Sequence, residues 1–212
     1  MLVSPRAGFQ ALVRADRASS SDTGPQAPIL YLLTAIGGAA LLLLYFKVRS
    51  VFNIWNAEDI QFEAGPFATL LFIGAVVALP ARFLYSRAIP FLSKDAAPRK
   101  LRVVWAGAAF PLLLLVLIVL PLDLLIAGTG SFTRDWSGSA ATAWAGASTA
   151  LSLGLLVWSL TLFALGLVAT HKWQLSKATL FSVLSLVVFL FAGTAILAAI
   201  LGLAGLMKEL NV

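Results

Sequence analysis

The sequence has no cysteine and one histidine among 212 residues. The first absence excludes disulfides, zinc thiolates, iron–sulfur clusters and cysteine nucleophiles, and the second leaves no histidine-based metal site. Acids are scarce as well: nine Asp and Glu stand against 15 Lys and Arg, for a formal net charge of +6. Only 11% of residues are charged while 60% are apolar, where a soluble domain is about 45–50% apolar. The mean hydropathy is +0.96. No charge interrupts Val103–Leu122 or Ala178–Met207, and a bilayer crossing needs about 20 such residues. The composition excludes an ordinary soluble globule and defines a polytopic membrane protein. Its excess of cations points to cytoplasmic loops and anionic lipid rather than to nucleic acid.

Apolar run length predicts an all-α bundle of five transmembrane helices, over about 29–46, 66–85, 103–127, 143–170 and 178–207. Residues 1–28 precede it as an amphipathic helix and linker, and 208–212 follow as an outer tail. Within the first segment, Ser4 is placed to cap a short helix over Ser4–Arg17 and Pro5 to fill its first turn. Phe9, Leu12 and Val13 share one face, with Arg6, Gln10, Arg14 and Arg17 beside it, which suits a helix lying in the headgroup region. No cleavable signal peptide is expected, because the apolar run begins only near Pro28.

The loops then choose an orientation. Eleven Lys and Arg fall on the side of the N-terminus, in the Arg82–Arg102 connection and in His171–Lys177. Four fall opposite, Lys47, Arg49, Arg134 and Lys208, beside Glu58, Asp59, Glu63, Asp135 and Glu209. The positive-inside bias predicts an inner N-terminus and an outer C-terminus. Of the outer connections, Val51–Gly65 carries Trp55 among apolar residues and Gly128–Ala141 carries Trp136, both suited to the interface.

Asp123 is the acid inside a predicted span, so it is the candidate intramembrane polar site. It lies near the outer end of the third span, within reach of interfacial water or of a cation such as Arg134, so it is expected to be an interfacial acid or to make a helix-packing hydrogen bond, and no second titratable group is expected beside it for a relay. Pro111 and Pro121 in the same span each lack an N–H and crowd a carbonyl, which predicts kinks. Gly146, Ala150 and Gly154 recur every fourth residue and give the fourth span a small-residue face for helix packing or oligomer contact. Gly37, Gly38 and Ala39 are similar but less periodic. Lys94, Arg99, Lys100 and Arg102, with Lys172 and Lys177 in the next inner turn, are the candidates for lipid headgroup contact. His171 lies in that turn, where an imidazole is expected to be solvated.

The chain carries no Gly-x-Ser-x-Gly, His-Glu-x-x-His or phosphate-binding loop. Without a nucleophile paired to a base, neither an enzyme nor a bound cofactor is expected.

Three stretches resemble a known family in their order and spacing. They are Ser4-Pro5-Arg6 with Phe9 and Leu12, then Ala108-Ala109-Phe110-Pro111-Leu112. Last comes Trp158-Ser159-Leu160 with Gly166-Leu167, His171 and Leu175-Ser176-Lys177-Ala178. Together they are similar to the prokaryotic branch of the YIP domain family, named for eukaryotic Ypt/Rab-interacting membrane proteins. The resemblance implies five membrane helices with a cytoplasmic N-terminus, in a prokaryotic cytoplasmic (inner) membrane. It supplies no catalytic residues. The Asp-Leu-Tyr-Gly-Pro stretch of eukaryotic members is missing, so their binding of prenylated small GTPases is not carried over. The expected role is a membrane-organising factor or accessory subunit acting through helix and lipid contacts, with a protein partner or a homo-oligomer. The alternative is a small transporter or channel component working as an oligomer.

Overall fold

The computed structural model describes residues 7, 8, 10, 11, 27–52, 64–94, 96–133 and 138–209. Five helices in it are long and apolar enough to cross a membrane: Pro28–Phe52, Leu71–Leu92, Pro98–Ala127, Ser139–His171 and Leu175–Ala192. Among the described residues there is no strand. Most of the expected N-terminal amphipathic helix lies outside the described residues, as do Arg134 and Trp136.

We label the helices α1 (Ala27–Phe52), α2 (Ala64–Leu92), α3 (Pro98–Ala108), α4 (Phe110–Leu114), α5 (Leu120–Ala127), α6 (Gly130–Thr133), α7 (Ser139–His171) and α8 (Leu175–Glu209), with a π-helical turn at Leu115–Val119 between α4 and α5. The third span is therefore α3, α4, the π turn and α5 in succession. Both departures from α geometry adjoin a proline. Pro111 crowds the turn before it, and the helix breaks at Ala109. Pro121 has no N–H for the carbonyl of Leu117, and the turn containing Leu117 widens so that the Leu120 N–H bonds to the Leu115 carbonyl instead. At the first break the carbonyl of Ala108 accepts a 2.7 Å hydrogen bond from the Ser159 hydroxyl of α7. Helix breaks inside a membrane persist where a neighbour satisfies the backbone in this way.

The first span is longer than apolar run length predicts. It continues through Lys47-Val48-Arg49-Ser50 to Phe52, and Lys47 and Ser50 are fully buried in it. Lys47 and Arg49 therefore belong to a helix and not to an outer loop. Likewise α2 carries Arg82 and Arg87 within its length, and α3 carries Arg99, Lys100 and Arg102, which leaves a short Ser93–Ala97 connection.

Two apolar contacts help to hold the bundle. The first is an aromatic core at the end bearing Leu92 and His171. There Trp105 of α3 lies with its ring 4.5 Å from Phe189, 5.4 Å from Tyr85 and 5.7 Å from Phe163, and the Tyr85 hydroxyl donates to the Leu101 carbonyl at 2.9 Å. Such pairs are worth about 0.5–1.5 kcal/mol each beyond the area they bury. The second is the crossing of α1 and α2, where the backbones nearly touch. A Cβ on Gly38 would stand 2.5 Å from the Gly74 carbonyl oxygen and overlap the methyl of Ala78. Membrane helices associate by such close packing, since lipid offers no hydrophobic drive between them.

Candidate functional site

A buried charge pair joins the first and third spans. The Lys47 ammonium donates to one oxygen of Asp123 at 2.7 Å, and neither side chain has any exposure, 0% for each. The other Asp123 oxygen accepts a 2.9 Å hydrogen bond from the Trp144 indole N–H of α7. One carboxylate thus ties α1, α5 and α7 together. The path of the third span sets this geometry: a π turn adds a residue to a helical turn, which rotates everything after it by about 100°. Asp123 follows the turn and faces inward, while Leu122 and Leu124 on its flanks are exposed. This corrects two expectations. Asp123 is not an interfacial acid open to water but makes the helix-packing hydrogen bond that was the other expectation, and Lys47 supplies a second titratable group beside it. Removing two charges from solvent is costly, and the pair persists because its partners are well placed.

The opposite end of the bundle is basic. The expected headgroup cations all collect there, in two kinds of setting. Lys94 and Lys172 are exposed. Lys172 ends α7 in the left-handed conformation, φ 58°. The others lean on neighbours: Lys100 reaches the Thr170 carbonyl at 3.4 Å, Lys177 lies 4.6 Å from the Trp173 ring, and Arg102 lies 5.0 Å from Phe83. His171 is not a free interfacial ring. Its Nε2 accepts the Ala97 backbone N–H at 3.3 Å, and its Nδ1 meets the Thr170 hydroxyl at 2.8 Å. That hydroxyl donates to the Gly166 carbonyl, so Nδ1 carries the proton. The ring clasps the start of the third span to the end of the fourth.

The small-residue face of α7 points away from the other described residues. Gly146, Ala150 and Gly154 are exposed, and a Cβ on either glycine would meet nothing within 4 Å. Close packing within the chain uses Gly38 of α1 instead, against Gly74 and Ala78 of α2. Among the described residues no group of three His, Cys, Asp or Glu side chains is placed to hold a metal.

Five apolar spans, a third one broken beside its prolines, and a polar clamp buried among them define an integral membrane protein of the helical-bundle class. The Yip1 domain model matches residues 1–205, nearly the whole sequence, and the chain belongs to that family. No curated protein and no solved structure gives a match.

Proposed function

We propose that this Yip1 family protein is not an enzyme, and that it serves as a membrane-organising factor or as an accessory subunit of a membrane complex. It works through helix–helix and lipid contacts and has a protein partner or a second copy of itself. The observation that carries this reading is the face of α7, where three small residues one turn apart stand exposed with open space beside them. A second backbone can approach such a face closely. We place the protein in a prokaryotic cytoplasmic membrane with its N-terminus inside. The basic end supports that orientation, and the burial of Lys47 and Arg49 within α1 leaves the other side poorer in loop cations than a count along the sequence gives. Replacing Gly146, Ala150 and Gly154 together by Leu is expected to leave insertion intact and to reduce the native mass of the assembly. An unchanged mass contradicts the reading.

A transporter or channel component is the second reading, and one observation favours it: two titratable groups, Lys47 and Asp123, meet inside the bundle. Intramembrane charges of this kind mark ion and proton paths. If the reading holds, reconstituted protein conducts a flux above empty liposomes, and Asp123→Asn abolishes it. A wild-type flux equal to that of empty liposomes removes it.

A further inference from the structure

Nine acids are present in the sequence, and none of them lies within α1, α2, α3 or α7; Asp95, in the connection from α2 to α3, is outside the described residues. The carboxylate that the bundle does enclose, Asp123, is bound to Lys47 at the other end. Yet α2 and α3 bring arginines together around one ring. The guanidinium carbon of Arg87 is 4.9 Å from the centre of Phe83, and that of Arg102 is 5.0 Å from the same centre. Arg82 stands next to this ring in sequence and lies over Tyr31 of α1 at 5.1 Å. Cation–π contact holds the Arg87 and Arg102 guanidiniums in place but does not occupy their N–H donors, because a ring face accepts charge and not a set of N–H bonds. Arg102 shows the consequence: its Nε is buried and has no hydrogen-bond partner.

Held donors without a carboxylate on the surrounding helices describe an anion site, and the surroundings say which anion. Arg87 is exposed, and from it the surface of α2 continues through Phe83, Leu84, Val76 and Phe72, exposed by 43%, 51%, 43% and 69%. A free phosphate has no use for such a surface, whereas acyl chains do. We propose that Arg87 and Arg102, held against Phe83, bind the phosphate of an anionic membrane phospholipid whose chains lie along this face of α2. Bidentate guanidinium–phosphate contact is the strong form of such recognition. The site narrows the lipid contacts proposed above to one place and rests on that reading for its membrane setting. It is independent of the α7 face.

The test uses the full chain purified in mild detergent, exposed to phosphatidylglycerol or phosphatidylcholine, and weighed by native mass spectrometry. Wild-type protein is expected to retain phosphatidylglycerol over phosphatidylcholine. The Arg87→Gln/Arg102→Gln variant should bind phosphatidylglycerol at least ~10-fold more weakly, the equivalent of about 1.4 kcal/mol. Lys94→Gln/Lys172→Gln, which removes two exposed cations at the same end, should lose less affinity than the arginine pair does. Thermal melting with and without phosphatidylglycerol reports folding separately: the lipid should raise the wild-type melting temperature but not that of the arginine variant. Arg87→Lys/Arg102→Lys keeps the charge and loses the fork, and should fall between them. Equal retention by wild type and the Gln pair overturns the site, and so does inorganic phosphate alone giving the full stabilisation. Loss of assembly in the α7 Leu variant with lipid retention unchanged would leave this site standing.

Discussion

Asp123→Asn is expected to destabilise the protein by about 3–5 kcal/mol, the cost of leaving one member of a buried ion pair without its partner. The substitution keeps the shape of the side chain and an oxygen for the Trp144 N–H, and it removes only the charge that Lys47 answers at 2.7 Å. Lys47→Met should cost a similar amount for the complementary reason. Combining the two removes both charges together and should recover more than half of either loss, because the uncompensated charge, not the missing attraction, dominates each single variant. Thermal melting in detergent measures all three. If the losses simply add, Lys47 and Asp123 are not coupled and the clamp is not what joins α1, α5 and α7.

Gly38→Ala should cost about 1–3 kcal/mol through overpacking, and Gly38→Leu should prevent α1 from docking on α2. The added Cβ would stand 2.5 Å from the Gly74 carbonyl oxygen, which is backbone and cannot rotate away. Gly154→Ala is the internal control. With nothing within 4 Å of its Cβ, it should be neutral or gain up to ~1 kcal/mol of helix propensity. Melting temperatures of the two Ala variants check this, and equal values would mean that the α1–α2 crossing is not close-packed. The contrast also separates two uses of small residues, one inside the chain and one facing out of it.

Much of the architecture is legible in the sequence because the bilayer allows few solutions. Backbone groups must be satisfied within each span, so long apolar runs become helices. Helix ends are less legible where a charge is buried. A run-length reading stops at Lys47, whereas α1 continues past it to Phe52. A signal was present: Ala40, Leu43, Lys47 and Ser50 recur at helical spacing, and all four are fully buried at 0%. A lysine on the buried stripe of one span and an aspartate in another are natural partners, since either alone is costly in a bilayer. Their meeting depends on the π turn, which Pro121 hints at but which only the folded third span fixes.

The small-residue motifs were legible as faces and not as contacts. Periodicity says that Gly146, Ala150 and Gly154 share one side of α7, but what that side meets is a property of the whole bundle. Gly38 shows the converse. Gly38 of α1 meets Gly74 and Ala78 of α2, a contact shorter than the three-residue stripe of α7 and therefore harder to single out. At the basic end, composition located the cations correctly along the chain but treated them as a loop. Helical packing instead sorts them, placing Arg87 and Arg102 on a shared ring and leaving Lys94 and Lys172 exposed.

The central claim, that the protein acts through contacts with other chains in the membrane, is tested most directly by its native mass after extraction from its own membrane in a mild detergent. The account predicts a particle heavier than one 22.4 kDa chain with its bound lipid, either a homo-oligomer or a stoichiometric complex with another membrane protein. A particle that weighs one chain plus lipid across the usable range of concentration and detergent would contradict it.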